Sequence, residues 1–472
     1  MTTLSDAIEG AGFGRFQWIA TVFGGGVYLA DGAEVMILGG VTKQLTADWG
    51  LSSFQRGLIV SVVFFGTFLA NIFAGTLADK VGRRPMLLAS YVGVFVSSML
   101  SLLAFNAWSL AVLRFLVGVF FGSGGPAWNA LGAEISPISQ RLWVAGVSQC
   151  MFALGEAYSA ILLWASGPDY AGINWRVLIL LGSLPCVALG LGAWKFLTES
   201  PRFSLKKGQL ADTQKTLTLM YHYNKAETAP MIEVGENQEL NITPSFLRNA
   251  VNIDILRAIF APKYLYTTLT ICICTFTLNF SYYGGLYVFP QVFESSAGPS
   301  LLLSSLLEIP GFLFGVWLGE RTTRRQTMLI YVGLSALAAF AMLHPFTLRV
   351  GVFCMKFFGS VGWLVFYLYS AEVFPTECRT SASGFCMASG RLGGIIAPLV
   401  FETAKGGKST FFTTIFALLL CNFMLVLFLP FETQNAQLDS SSIGLNTGAN
   451  IFYSHPVTKQ SIGKQTDDSQ LQ

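Results

Sequence analysis

The chain has 472 residues, of which 53% are hydrophobic and 12% are charged. Soluble proteins carry about 25% charged residues, so this composition excludes an ordinary soluble domain and indicates a polytopic membrane protein. The net charge of +3 says little by itself, because the distribution of Lys and Arg sets the orientation of a membrane protein.

Apolar runs separated by polar breaks predict twelve transmembrane helices, each long enough to cross a bilayer core of about 30 Å. We therefore expect an all-α membrane protein. The predicted spans are 16–40, 56–78, 86–105, 108–131, 142–166, 175–197, 264–293, 300–319, 326–344, 347–371, 380–403 and 410–430.

The polar segment 198–263 divides the spans into two bundles of six helices, residues 16–197 and 264–433. Seventeen Lys and Arg residues fall in the segments on the side of the N-terminus, and six fall on the other side. The positive-inside rule then places the N-terminal residues 1–15, the linker and the tail 434–472 in the cytoplasm. The tail is rich in Ser, Gln and Asn, and we expect it to be disordered.

The first span carries two acidic residues, Asp31 and Glu34, each of which costs roughly 2.5–3.5 kcal/mol to insert into a membrane. They are three positions apart, so they share one helical face and can point together into a bundle interior. Acids inside a membrane usually mark an ion or substrate pathway. The alternative is structural, with one acid capping a kink near Gly32 and the other forming a packing ion pair.

The two halves of the chain contain matching charged signatures. After the second span, Gly75, Asp79, Arg83 and Arg84 form Gly-x-Leu-x-Asp-x-x-Gly-Arg-Arg, and Asp79 and Arg83 have counterparts 241 positions later. After the fourth span, Glu-x-x-Pro followed by Arg recurs 238 positions later. This internal repeat predicts two parallel six-helix units with a binding site between them near the bilayer midplane. The remaining members of these signatures are Glu134, Arg141, Glu320, Arg324, Glu372 and Arg379.

With these motifs, the chain resembles the major facilitator superfamily of transporters from the first span to the last. The signatures Arg114-Phe-Leu-Val-Gly118 and Glu199-Ser-Pro-Arg202 are similar to those of its sugar-porter and organic-ion branches. The segment from Leu29 to Leu38 looks most like the synaptic vesicle 2-related group. The chain departs from hexose porters at Asn279 to Tyr283, where those proteins carry a Gln-Gln-Leu-Ser-Gly motif, and this argues against sugar transport. The resemblance implies the major facilitator fold and transport by alternating access.

Seven charged residues fall well inside predicted spans, and none of them lies in spans 3, 6, 9 or 12. In the superfamily fold those four spans are peripheral, so the pattern fits a central cavity. Arg114 lies about 9 Å from the outer end of its span, at the same height as Glu34, and can pair with Asp31 or Glu34. In the second half, Glu308, Lys356 and Arg391 can form another cluster. The seven residues are Asp31, Glu34, Arg114, Glu156, Glu308, Lys356 and Arg391.

Two further sets of residues are candidates for roles in transport. Amide and phenol side chains inside spans can bind polar groups of a solute, although each alone is as easily a packing contact. The charged signatures between spans can form ion pairs that close the cytoplasmic end, or can simply set the topology. The neutral candidates are Asn129, Gln149, Asn279, Tyr282, Tyr283 and Tyr367, and the gate candidates are Gly75, Asp79, Arg83, Arg84, Glu134, Arg141, Glu320, Arg324, Glu372 and Arg379.

The sequence predicts a secondary transporter of a small ionised organic solute that is coupled to protons. One carboxylate of the first span would exchange a proton, with an affinity that depends on desolvation and on Arg114. The alternatives are a uniporter for a sugar-like solute with structural charges, and a transporter-fold sensor or interaction protein without flux. No nucleophile–base set or metal cluster supports an enzyme, so we expect no catalytic site, metal or cofactor. We expect a monomer whose partners are a solute, protons and lipid, and no nucleic acid.

Overall fold

The computed structural model describes residues 3–167, 172–227, 229–231, 260–293, 297–374, 379–404 and 406–433. The predicted disordered tail and the linker residues 232–259 lie outside the described residues. The described helices are α1 (Leu4–Ala11), α2 (Arg15–Trp49), α3 (Ser53–Val81), α4 (Arg83–Ser101), α5 (Ala107–Glu134), α6 (Arg141–Ala165), α7 (Trp175–Phe196), α8 (Pro201–Lys206), α9 (Leu210–Asn224), α10 (Pro262–Val292), α11 (Ala297–Leu306), α12 (Glu308–Arg321), α13 (Arg324–Ala341), α14 (Leu348–Glu372), α15 (Arg379–Thr403) and α16 (Lys408–Leu427).

Every predicted span falls on a helix, and the all-α fold class is confirmed. The eighth span is in two pieces, because α11 ends at Leu306 and α12 begins at Glu308. Pro310 has no N–H to donate to the carbonyl of Leu306 one turn earlier, which accounts for the interruption. The first span is longer than predicted: α2 continues to Trp49 and ends at Gly50, whose φ of 62° provides a left-handed cap.

Nine helical stretches in the described part of the chain are long and apolar enough to cross a membrane on their own. The helices α4, α10 and α13 do not meet that criterion. In α10 the reason is visible, because this helix buries polar residues including Thr275, Asn279, Ser281 and three tyrosines inside the bundle. A span surrounded by protein does not need an apolar surface on every side.

The helices form two bundles, which we call the first half (α2–α7) and the second half (α10–α16). In the first half α3 packs on α5 and α2 packs on α6, while in the second half α10 packs on α15 and α13 on α14. Glycines allow the closest of these contacts. A Cβ at Gly155 would lie 2.0 Å from the Leu29 carbonyl oxygen, and one at Gly32 would lie 2.3 Å from the Phe152 carbonyl oxygen. The face of α2 that carries Gly32 therefore lies directly against α6.

The short helices α1, α8 and α9 lie together at one end of the first half, which we call the linker face. The Tyr221 hydroxyl donates to the Ala7 carbonyl at 3.0 Å, joining α9 to α1. Asn224 Oδ1 accepts from the Phe16 backbone N–H at 3.0 Å, joining α9 to the start of α2. The beginning of the predicted linker is thus a structured part of the first half.

The two halves contact each other through α3 with α15, α6 with α11 and α12, and α2 with α10. At the face opposite the linker, Arg56 of α3 forms an ion pair with Glu402 of α15 at 2.6 Å, and Tyr287 of α10 also donates to Glu402. On the linker face, the described ion pairs join helices of the same half, as in Arg83 with Glu134 and Arg324 with Glu372. At the face opposite the linker, an ion pair therefore connects the two halves.

Candidate functional site

Glu34 of α2 is the centre of a buried cluster inside the first half. Arg114 Nη1 of α5 donates to Glu34 Oε2 at 2.8 Å, and the Ser98 hydroxyl of α4 donates to Glu34 Oε1 at 2.7 Å. The Arg114 side chain is fully buried and that of Glu34 is 4% exposed. Of the two acids in the first span, the structure pairs Glu34 with Arg114. Both oxygens of its carboxylate have a donor.

Asp31 lies one turn before Glu34 and is 2% exposed, but it has different surroundings. Its Oδ1 atom has no hydrogen-bond partner among the described residues. It lines a small cavity together with Arg114 and the apolar side chains Val63, Val94 and Phe121. The Nε and Nη2 atoms of Arg114 also have no described partner. A buried carboxylate with an oxygen that lacks a donor is costly when ionised, so Asp31 is suited to bind a proton or a cationic group.

A second buried cluster joins the two halves. Lys356 of α14 donates to Glu156 Oε2 of α6 at 2.7 Å and also to Glu308 Oε1 of α12. The Tyr282 hydroxyl of α10 lies 2.6 Å from Glu308 Oε2 and 3.1 Å from Glu156 Oε1. Glu156 and Glu308 are fully buried, and Lys356 is 2% exposed. We call these four residues the shared cluster, because α6 belongs to the first half and the other three helices to the second.

Arg391 of α15 is half-buried between the halves and belongs to neither cluster. Its Nη1 donates to the Tyr283 hydroxyl of α10 at 2.8 Å. When the Asn71 amide of α3 is oriented to donate to the Gly122 carbonyl, its oxygen accepts from Arg391 Nε at 3.3 Å. The depth of Arg391 in its span had allowed it to form a cluster with Glu308 and Lys356. The structure instead gives Arg391 neutral partners from both halves. Glu156 of α6, and not Arg391, joins Glu308 and Lys356 in the shared cluster.

The neutral candidates occupy two environments. Tyr282 and Tyr283 are buried at the interface, with their rings in T-shaped contact at 5.4 Å, and Asn279 donates to the Thr275 carbonyl at 2.8 Å. Asn129 is exposed, although it lies well inside α5, and it accepts from the Tyr28 hydroxyl at 2.9 Å. Gln149 of α6 and Tyr367 of α14 are also partly exposed.

The gate candidates of the first half meet at the linker face. Arg83 Nη2 donates to Asp79 at 2.7 Å and to Glu134 at 3.1 Å, so one arginine joins the ends of α3 and α5. Arg84 donates to the Trp194 carbonyl at 2.8 Å. Arg141 begins α6 near the same end. Gly75 lies in α3, and the contacts of Gly75 fall outside the described part of the chain.

The equivalent residues of the second half form a similar network with one difference. Arg324 contacts Glu372 through two hydrogen bonds, from Nε at 3.2 Å and from Nη2 at 3.1 Å. Glu320 is exposed and makes none of these bonds, although the repeat places it opposite Asp79. Arg379 begins α15, and its side chain lies outside the described residues. The structure therefore brings Arg324 and Glu372 together and leaves Glu320 apart from them.

Comparison with known proteins agrees with this architecture. Residues 16–443 match the family described as sugar (and other) transporter. The chain is a member of that family. It is 30% identical to the synaptic vesicle 2-related protein of Xenopus laevis over 93% of this chain and 82% of that protein. It is 27% identical to the organic cation/carnitine transporter 7 of Arabidopsis thaliana over 93% of this chain and 96% of that protein.

The fold is similar to that of a solved family structure. The partially occluded inward-open xylose transporter XylE from E. coli superimposes with a TM-score of 0.71 at 14% identity, over 90% of this chain and 100% of that one. At this identity the similarity shows the fold alone. The protein is thus an integral, multi-pass secondary transporter of small organic solutes, and the enzyme class is excluded by its family.

Four residues of this transporter's interior were missed from the sequence. Ser98 binds Glu34 from α4, a helix expected to be peripheral and uncharged. Asn71 contacts Arg391, and Tyr28 donates to Asn129. The ring of Trp363 lies in T-shaped contact with that of Tyr282, with their centroids 5.4 Å apart. Tyr28 is three residues before Asp31 on the same helical face, which is a usable signal. Ser98 has none, because a serine in an apolar helix is usually bonded to its own backbone.

Proposed function

We propose that the protein transports a small organic solute with a carboxylate or similar anionic group, and that this transport is coupled to protons. The proposed class of solute rests on the surroundings of Arg391. Its guanidinium lies between the halves, is partly exposed, and is bound by neutral groups rather than by an acid. Among the described residues no acid forms an ion pair with Arg391, and Asp31 interacts with it electrostatically without a hydrogen bond. The guanidinium is therefore available to form a bidentate contact with an anionic group.

Asp31 is our candidate for the proton-exchanging group, since its carboxylate lacks a hydrogen-bond donor at Oδ1. Glu34 is paired with Arg114 and Ser98 and is better suited to a structural role. Alternating access would change the desolvation of Asp31 and its distance to positive charge. Protonation would then depend on which side of the membrane the interior faces.

The name of one relative supports an ionised solute. It is an organic cation/carnitine transporter. We further propose that the linker face is cytoplasmic, because the predicted segments on that side carry most of the Lys and Arg residues. Both termini would then be cytoplasmic, and closure of the linker face would bring the networks around Arg83 and Arg324 towards each other.

The test is uptake into proteoliposomes with a panel of organic anions, cations and zwitterions, with and without an imposed pH gradient. We expect gradient-driven accumulation of an anionic or zwitterionic solute that is lost in Arg391→Gln and reduced in Arg391→Lys. Asp31→Asn should retain exchange of the solute but lose the response to the gradient. Arg15→Gln, at an exposed arginine at the start of α2, is the matched control.

Two results would contradict the proposal. Transport that is indifferent to pH and unaffected by Arg391→Gln would indicate a uniporter with structural charges. Solute binding without flux, in protein that is folded and correctly inserted, would favour a sensor or interaction protein.

A further inference from the structure

The shared cluster contains more acid than base. Glu156 and Glu308 supply two carboxylates, and Lys356 is the cation that bonds to both. If both acids are ionised, a fully buried site has a net charge of −1. An uncompensated charge in a protein interior strongly destabilises the folded state. Arg391 does not remove the imbalance, because it bonds to Tyr283 rather than to either carboxylate.

The hydrogen bonds lead to the same conclusion independently. The Tyr282 oxygen lies within hydrogen-bond distance of both carboxylates, at 2.6 Å from Glu308 and 3.1 Å from Glu156. A phenol has one hydroxyl hydrogen and can donate it to only one of them. The other contact needs a hydrogen on the carboxyl group, which then donates to the phenol oxygen. One proton added to the cluster satisfies every contact and makes its net charge zero.

We propose that the shared cluster binds one proton between its two glutamates, and that this proton stabilises the contact between the two halves seen here. Glu156 is the cluster's member from the first half. If α6 separates from α12 and α14, Lys356 and Glu308 remain as a neutral pair, and no added proton is needed there. Proton binding at this site would therefore follow the association of the halves.

This site is distinct from Asp31. Asp31 lies within the first half, and the cluster lies where α6 meets α10, α12 and α14. The inference rests on the proposed alternating access, since it assigns a regulatory proton to that motion. The titratable and charged side chains that face the cluster or its immediate neighbours are Asp31 on α2, Cys150 and Glu156 on α6, Tyr282 and Tyr283 on α10, Glu308 on α12, Lys356 on α14 and Arg391 on α15.

The experiment measures the separation of the halves by pulsed electron spin resonance. Spin labels at Ser139→Cys and Gln326→Cys, two exposed positions at the linker face, report one distance across the halves. The full chain is used with its eight native cysteines replaced, in lipid nanodiscs, without solute, from about pH 5 to about pH 9. We expect one population at acidic pH and a second population that grows as the pH rises.

Glu156→Gln and Glu308→Gln each remove one ionisable carboxyl group at constant size and so imitate the proton. Each should hold the acidic-pH population to higher pH, and when combined with Asp31→Asn, which removes the other proposed proton site, each should abolish the pH dependence. Asp48→Asn, at an exposed acid near the end of α2, should keep it. Infrared spectra should show a protonated carboxyl band that both cluster variants lack, and this readout does not depend on motion.

The proposal is overturned if both glutamine variants keep the wild-type pH dependence, or if the wild type shows neither that dependence nor the carboxyl band. Two isosteric variants are used so that a folding failure in one leaves the other to decide. Neither measurement needs a transported solute. Absence of flux in liposomes would therefore contradict the proposed function while leaving this inference standing.

Discussion

Replacing Arg114 with glutamine should strongly destabilise the first half, because it removes the cation beside a buried carboxylate. Arg114 is fully buried, and its bond to Glu34 is 2.8 Å long. Removing one partner of such a pair typically costs about 3–5 kcal/mol, since the remaining charge loses its compensation. For a unit of about 180 residues, each kcal/mol lowers the Tm by about 2–4 °C, so we expect a decrease of roughly 6–20 °C.

The double variant Glu34→Gln with Arg114→Gln separates the charge effect from the packing effect. Two amides leave no buried charge, so the double variant should be more stable than Arg114→Gln alone, with a coupling of about 1–3 kcal/mol. The assay is thermal unfolding in detergent micelles followed by tryptophan fluorescence, with Arg15→Gln as the control. A decrease below about 2 °C for Arg114→Gln, or a double variant that is less stable than the single one, would refute this account of the ion pair.

Three further predictions follow from the same contacts. Asp31→Asn should raise the Tm, because it removes a buried charge that lacks a full set of donors, even though gradient-driven uptake is lost. Gly155→Ala should cost about 2 kcal/mol or more, since its Cβ would meet a carbonyl oxygen of α2 at 2.0 Å, whereas Gly359→Ala, with open space around it, should be neutral or stabilising in the same melt. Arg324→Lys should lose about 1 kcal/mol in chemical denaturation, because lysine cannot make the two bonds to Glu372.

The fold was accessible from the sequence because its determinants are local. An apolar run of about 20 residues specifies a membrane helix, and the recurrence of Asp79 and Arg83 after 241 positions specifies a repeat. The height of Glu34 and Arg114 in their spans was also predictable, because depth depends only on the rise per residue. The break in the eighth span was missed, although Pro310 was a visible signal.

Partner choice in the interior was less predictable, because it depends on helix rotation and on contacts across the halves. Depth allowed Arg114 to pair with either acid of the first span. The two acids are about one helical turn apart, so the axial position and rotation of α2 relative to α5 decide which of them Arg114 contacts. The place of Glu156 in the second cluster depends on how closely α6 approaches α12. Spacing along one helix contains no information about that distance.

The two buried clusters differ in a way that separates stability from function. Glu34, Arg114 and Ser98 lie on helices of one half and can stay bonded while that half moves as a unit. Glu156 and Lys356 lie on different halves, so any rocking motion must stretch or break their 2.7 Å contact. A charge network that changes its members between states must change its net charge or its proton count. Because the shared cluster has two acids and one base, one added proton balances its charge, and in the proposed mechanism this interface is a second place, besides Asp31, where access is coupled to protonation.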